Sequence, residues 1–480
     1  MDNLKLSVGC NWDRKLIENL SGLPVYNLYG KVDKDIVGGG RPSYLLPEIN
    51  EEEIKKYIDE VHKNGMEFTY LLNSFCMGNK EFVAESHNKI IEYIERIVDM
   101  GVDCITVTIP YLLQIIKHRF PKLKVGVSIF AYINSVRRAQ LFESLGADVI
   151  ALPEFVNRDF KLLSAIRKSV KCEIQLLANV TCIYGCPFQL YHGTISSHAS
   201  QDDKYTQGFY IDYCILNCMK RKMSNRDELI KSRWIRPEDL HIYEEIGIDY
   251  FKIVERFNTT EVITNTVKAY AQRAYDGNLI DILDVKTDPK RQVPINVSYF
   301  NKPEFANVKN LMDFEDALFL KEQYLDNKSL DGFIEHFKYN DCNKTSCEDC
   351  GYCTSIANKA YKVDEDKAQI ALSKVNKKLD NLITSEFFNI KPSKGDNNMQ
   401  WEPSCKSLFE QLISSVEAEV RDIAKKVVGR QAEDNARERN SLLVEEQDMV
   451  NAFLSETPQN EQENMRKKLI ELGIKFENNI

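Results

Sequence analysis

The sequence predicts an α/β protein: a (β/α)8 TIM-like barrel, then a cysteine-rich segment, then a C-terminal helical domain. Three observations carry this reading. Eight short, apolar, β-rich runs recur along the first half of the chain. Stretches with helical periodicity lie between most of them, and several of these end in a glycine just before the next run. Strands alternating with helices form parallel βαβ units, and eight such units close into a barrel.

The runs are Leu4–Gly9, Pro24–Leu28, Glu67–Leu72, Asp103–Ile109, Lys124–Phe130, Asp148–Leu152, Cys172–Leu177 and Tyr250–Val254. Between the second and third, Glu51–Asn64 places Ile54, Tyr57, Ile58 and Val61 on one helical face. Asn88–Met100 does the same with Ile91, Ile94, Ile97 and Val98. Gly65, Gly101, Gly146 and Gly247 stand where a helix must turn into the next strand. An open doubly wound sheet is the alternative, but no Gly-x-Gly-x-x-Gly follows the first strand. Gly38-Gly39-Gly40-Arg41, after the second unit, is a weak phosphate-loop signal, with an ordinary loop as its alternative. In a barrel, chemistry sits at the C-terminal strand ends. Those ends carry Cys10, Asn11, Tyr29, Asn73, Pro110, Glu154 and Asn179.

Of the 480 residues, 43% are hydrophobic and 28% charged, and the net charge is −9. An acidic chain argues against unaided, non-specific nucleic-acid binding, which rests on neutralising phosphates. No apolar run approaches the roughly 18 residues of a membrane span. The start lacks a charged region followed by an apolar one. The expectation is a cytoplasmic protein with no membrane partner. Its expected parts are a barrel over 1–285, a connecting segment over 286–388, a linker over 389–400 and a helical domain over 401–480. Arg291–Tyr299 reads as one strand within the connecting segment.

Cysteine is the informative residue. There are 13, with four in Cys182–Cys218, four in Cys342–Cys353, and Cys10, Cys76, Cys104, Cys172 and Cys405 solitary. In a reducing compartment, clustered cysteines read as metal ligands. The first set is two C-x3-C pairs, Cys182/Cys186 and Cys214/Cys218, directly after the seventh strand. Four thiolates hold a 4Fe-4S cluster or a structural zinc; the three-residue spacing and Cys186-Pro187 favour the cluster. His192, His198 and Asp212 lie close in sequence, as proton relays or as plain loop and capping residues. The second set, Cys342-x4-Cys347-x2-Cys350-x2-Cys353, has compact ferredoxin-like spacing, with a helix expected from Ser355. Two 4Fe-4S clusters are therefore expected, with zinc at one site as the alternative. The cluster at the strand end would face substrate and the other would relay electrons. Arg41, Lys252 and Arg256 are candidates to clamp an anionic group, since arginine offers a bidentate fork, with surface ion pairs as the alternative.

Taken in order, these residues resemble peptidase family U32, the collagenase-like peptidases. The likeness covers about the first 280 residues and runs through Asn179-x-x-Cys182-x-x-x-Cys186-Pro187-x-x-x-x-His192, Trp234–Leu240 and Asp249–Arg256. Where the family commonly has Lys-Ile-Glu-Gly-Arg, this chain has Lys252-Ile253-Val254-Glu255-Arg256. Where the peptidase signature places a His-Gly-Ala/Ser step before its first cysteine, this chain has Leu177-Ala178-Asn179-Val180-Thr181, which weakens a proteolytic reading. Several family members are iron–sulfur proteins that hydroxylate RNA bases or a quinone precursor without oxygen, so the resemblance implies redox chemistry of that kind.

From Trp401 the tail reads as helical, with Leu408, Leu412, Val416 and Val420 as its apolar stripe. Trp401, Val420-Arg421 and Ala424 slightly resemble the small helical domain of light-independent protochlorophyllide reductase. The leading expectation is an oxygen-independent iron–sulfur oxidoreductase acting on a small molecule, peptide or RNA base in the barrel mouth and served by an external electron donor. The alternatives are a U32-type peptidase, and a non-catalytic iron–sulfur or zinc protein that docks to a U32-like or other partner through its C-terminal helices.

Overall fold

The computed structural model describes residues 3–201, 213–254, 256–285, 323–385, 399–416, 421–439, 441, 443–457 and 461–474. They belong to two compact units, Met1–Asn389 and Ile390–Ile480.

In the first unit, eight parallel strands close a barrel in chain order. They are β1 (Lys5–Gly9), β2 (Val25–Gly30), β3 (Glu67–Leu72), β4 (Cys104–Val107), β5 (Lys124–Val127), β6 (Val149–Leu152), β7 (Glu173–Leu177) and β8 (Tyr250–Ile253). β8 returns to β1 with Lys252 opposite Ser7. Every strand overlaps an apolar run of the sequence. The fifth run is cut short at Val127, because Ser128 accepts the Phe130 amide and turns Ile129–Ala131 into a 3-10 turn.

Helices α1 (Arg14–Leu20), α2 (Glu51–Lys63), α3 (Ala84–Asp99), α4 (Pro110–Arg119), α5 (Val136–Ser144) and α6 (Phe160–Ser169) follow the first six strands. Asn50 and Glu53 begin α2 with a reciprocal capping box. Gly65, Gly101, Gly146 and Gly247 all have φ between +74° and +104°, which a side chain would resist, so the chain turns there as predicted. The crossover after β7 is longer. It carries α7 (Gln189–His198), α8 (Tyr213–Ser224), α9 (Asp227–Lys231) and α10 (Leu240–Glu244), and α11 (Thr260–Gln272) follows β8.

The strands alternate in a way that decides where the core lies. Val8, Leu28, Phe68, Leu72, Ile105, Val107, Ile150, Leu152, Ile174, Leu176, Phe251 and Ile253 are buried in one apolar cluster shared with the surrounding helices. The residues between them, among them Ser7, Asn27, Thr69, Gly126, Ala151, Gln175 and Lys252, point the other way and line the barrel interior. Small and polar side chains do not fill that interior, so the barrel is hollow towards its C-terminal mouth.

Residues 323–385 pack onto the barrel. Tyr324–Leu325 pairs antiparallel with Tyr361–Lys362. Helix Tyr352–Ala360 lies on α9, and helix Glu365–Ile383 lies on α8, burying Ala368, Ala371, Val375 and Leu379 against Leu216 and Met223. The helix of the second cysteine set therefore starts at Tyr352, before the expected Ser355, and takes in Cys353. Buried Arg236 ties this segment to the barrel, donating to Asn327 Oδ1 (2.9 Å), the Leu330 carbonyl (2.6 Å) and Asp331 Oδ1 (2.8 Å). The strand expected at Arg291–Tyr299 lies outside the described residues.

In the second unit, Gln400–Trp401 pairs in parallel with Leu443–Val444, so the chain at Trp401 is a strand and the helix starts at Pro403. That helix ends at Ser414, so its buried stripe is Cys405, Phe409, Leu412 and Ile413. Val416 falls past its end, and Val420 lies outside the described residues. Among the described residues no helix is long and apolar enough to cross a membrane.

Candidate functional site

A cavity of about 230 Å³ opens at the C-terminal mouth of the barrel. Cys182, Cys186, Cys214, Cys218, Arg41, Lys252, Arg256 and His192 all line it. Residues spread from position 41 to 256 thus converge on one space. His198 does not line it, and Asp212 and Glu255 lie outside the described residues.

The thiols come from two elements. Cys182 and Cys186 sit on the loop after β7; Cys214 and Cys218 stand one turn apart on α8, which puts them on one helical face. Asn179 fixes the loop. Its Oδ1 accepts the Val254 amide of the β8 end (2.8 Å), and its carbonyl accepts the Asp284 amide (2.7 Å). The Thr181 hydroxyl donates to the Asp284 carbonyl at 2.7 Å. The Asn of the Asn-x-x-Cys motif is therefore a brace for the cysteine loop.

Cys182 has its exposed surface turned to the cavity while protein surrounds it, and burial pushes its thiol well up, with Glu154 and Cys218 adding to the shift. Burial also raises Cys186, beside Cys218 and Glu154. Lys222 and Arg221 act in the opposite sense. Thiols so disposed reach the thiolate state when a cation compensates them. Among the described residues no three His, Cys, Asp or Glu side chains are gathered tightly enough to hold a single metal ion. One tetrahedral zinc would need sulfurs roughly 3.8 Å apart, whereas a cubane cluster takes the same four thiolates at wider spacing. Four thiols lining one cavity are a donor set suited to a four-thiolate centre.

The cations occupy the strand-end side. Gly9 ends β1 because a Cβ there would stand 3.0 Å from Arg256 Cγ and 3.1 Å from the Tyr29 hydroxyl. Tyr29 donates to the Ile253 carbonyl (3.0 Å), and its ring centroid lies 3.8 Å from Lys252 Nζ. Burial first, then Arg256 and Arg41, lowers the Lys252 ammonium to about 7, so near neutrality it holds its proton only part of the time. Arg41 Nη1 donates to the Gly40 carbonyl at 3.0 Å. Gly38–Gly40 is no phosphate cradle: the Gly38 amide serves Asp35 Oδ1 (2.5 Å) and the Gly39 amide serves Ser200 Oγ (2.7 Å).

Sequence reasoning marked Glu154 as a strand end but gave it no role. It is buried, its carboxyl is raised by burial, and its Oε1 accepts from Gln189 at 2.8 Å. Its place beside Cys182 and Cys186 sets a carboxyl of raised proton affinity next to the thiols.

The second cysteine set lies outside this cavity. Cys342, Cys347 and Cys353 are half-buried and Cys350 is exposed, its sulfur 3.6 Å from His336 Nε2. Burial raises Cys353 to about 11, with Arg158 and Arg233 acting against it and Cys342 and Cys347 adding to it. Tyr184, between Cys182 and Cys186 in sequence, donates to Asn343 Oδ1 at 3.1 Å and so joins the two cysteine loops.

The comparisons agree with the residues. The model of "Peptidase family U32" matches residues 44–281. "Uncharacterized protease MJ1657" of Methanocaldococcus jannaschii is 30% identical over 329 residues, covering 68% of this chain and 87% of that protein. The solved "U32 Peptidase Mk0906" is 21% identical, with a TM-score of 0.40 over 53% of this chain and 93% of that one. With nearly the whole of the archaeal relative matched, and the matched span reaching from the Arg41 side of the mouth through both cysteine pairs to β8, the chain belongs to peptidase family U32.

Proposed function

We propose that this chain is an iron–sulfur-dependent oxidoreductase that modifies an anionic organic substrate in the barrel mouth without oxygen. The observation that carries the reading is that two C-x3-C pairs and three cationic side chains line one cavity at the face where barrels place their chemistry. Cys182, Cys186, Cys214 and Cys218 would hold a 4Fe-4S cluster, which supplies one-electron transfer when bound. Arg41 and Arg256 orient the anionic group of the substrate. Lys252, poised near neutrality, takes up a proton released at the substrate, and Glu154, its carboxyl raised by burial, is placed to return one. His192, which also lines the cavity, is a further proton carrier. The Cys342–Cys353 set would hold the relay towards an external donor.

A peptidase is the second reading, favoured by the family's name and by that of the archaeal relative. Against it stands the surrounding of Cys182 and Cys186: burial raises both thiols, whereas a nucleophilic cysteine needs a lowered one. Anaerobic purification with iron, sulfide and zinc quantified together separates the readings. About eight iron per chain fits two cubane clusters, and zinc alone would end the redox reading. Turnover of a peptide by aerobic, iron-free protein would establish the peptidase instead.

A further inference from the structure

Two arginines beside the second cysteine set are buried without an ion-pair partner among the described residues, although Asp239 acts on Arg158 from beyond ion-pair distance. Arg158 is 3% exposed and Arg233 is 5% exposed. Among the described residues neither joins an ion pair, and the Nε atoms of both are buried without a hydrogen-bond partner. Arg158 gives Nη1 to the Ile230 carbonyl (2.7 Å) and Nη2 to the Trp234 carbonyl (3.3 Å). Its guanidinium lies 4.7 Å from the centroids of Trp234 and Phe333 and 4.9 Å from that of Phe337. Arg233 lies 3.8 Å from the Tyr184 ring centroid. Carbonyls and aromatic faces stabilise a guanidinium only in part. Two like charges buried close together destabilise the fold unless an anion answers them.

The anion's place is given by what shares the space. Arg158, Arg233, Tyr184 and Cys342 line one small cavity of about 30 Å³, and the two carboxylates that share it are engaged elsewhere, Asp159 by the Leu162 amide and the Asn343 side chain, and Asp341 by Lys344. Both arginines act electrostatically on Cys353, and Arg233 also acts on Cys347. Four thiolates around an oxidised 4Fe-4S core, or around one zinc ion, carry a net charge of about −2. Two guanidinium groups neutralise that charge.

We infer that Arg158 and Arg233 are the buried counter-cations of a dianionic four-thiolate centre held by Cys342, Cys347, Cys350 and Cys353. The iron–sulfur identity of that centre rests on the function proposed above; the charge pairing does not. If the centre is a cluster, the arginines favour its more negative, reduced form and set a higher reduction potential than an uncompensated cluster would have. Arg233 stacked on Tyr184 also places this charge between the two cysteine loops.

The test uses the full chain, reconstituted anaerobically with iron and sulfide, and reads metal content and an EPR-monitored redox titration. Cys350→Ala identifies which signal belongs to the second site. Arg233→Gln should move that signal's midpoint to more negative potential, or release its metal, while the other cluster keeps its iron and its midpoint. Arg233→Lys, which restores the charge, should recover both metal and midpoint. Should the Gln variant fail to fold by circular dichroism, Arg233→Met removes the charge without leaving an amide to satisfy. An unchanged midpoint and metal content in the charge-removing variant, or equal loss in the Lys variant, overturns the inference. Zinc at the second site would refute its redox role alone. Zinc retention in Arg233→Lys and its loss from Arg233→Met would then support the charge pairing, and equal retention would overturn it.

Discussion

Lys252 offers a measurement whose sign and size follow from its surroundings. An ordinary lysine titrates at 10.5; here burial and the nearby Arg256 and Arg41 bring it to about 7. The unfolded chain keeps the proton over the whole interval and the folded chain does not, so stability rises with pH between about 7 and 10.5. The interval is 10.5 − 7 = 3.5 pH units. At about 1.4 kcal/mol per unit, the penalty below pH 7 is roughly 5 kcal/mol, and it fades as pH climbs. Lys252→Met keeps the length of the side chain and removes the charge. Urea unfolding of the barrel unit, wild type against variant at matched metal content from pH 6 to 10, isolates the term because all other ionisable groups cancel in the difference. The variant should be the more stable by several kcal/mol at pH 6. Its advantage should shrink by about 1.4 kcal/mol per unit above pH 7. Parallel stability curves across that range would show that Lys252 keeps an ordinary ammonium, and the proton-accepting role assigned to it would fall.

Other outcomes are as definite. Cys182→Ala and Cys214→Ala should each lose one cluster's iron and absorbance; full iron in both would show that these thiols are not ligands. Glu154→Gln keeps the shape of a carboxyl whose proton affinity burial raises. Because the raised carboxyl costs stability once pH passes the unfolded value near 4.5, the Gln variant should gain on wild type as pH rises above that value, read by thermal unfolding. Arg236→Ala removes three hydrogen bonds and leaves two buried acceptors, Asn327 Oδ1 and the Leu330 carbonyl, unsatisfied, at a cost of about 1–3 kcal/mol for each. A lowered melting temperature of the barrel unit checks it. Gly9→Ala should disturb the mouth rather than the fold, since its Cβ meets Arg256 and Tyr29. Weaker binding of an anionic probe with little change in stability is the expected reading.

Much of this was legible in the sequence because it is local. A strand announces itself by a short apolar run, and all eight runs overlap strands of the barrel. A turn glycine needs only its own φ, and the four read from the sequence have it. The cysteine pairs follow from spacing, and the first four reach the cavity because the loop that bears Cys182 and Cys186 leaves a strand at its C-terminal end. What stayed hidden depends on neighbours far along the chain. Nothing near Glu154 in sequence says that it will stand beside Cys182, and nothing near Arg158 says that Arg233 will join it. Asn179 and Arg236 look like parts of an active-site signature, yet they are braces whose partners, Asp284 and Asn327, lie about a hundred residues away. In the tail, the helix stops at Ser414, two residues short of the third position of the expected stripe, and the periodicity alone could not mark that end.

The inward row of small and polar residues along the strands has a consequence for how such a chain can diversify. The cohesion of the barrel is carried on its outer wall, where the strands meet the helices. Positions such as Ser7, Thr69, Gly126 and Ala151 contribute little to that cohesion but shape the floor of the cavity. Tolerance and selectivity are thus assigned to opposite faces of the same strands. A larger residue at Ala151 would shorten the admissible ligand while the wall that keeps the molecule folded stays as it is. The scaffold can therefore explore new ligands by single substitutions that an outward-facing position such as Ile150 could not accept.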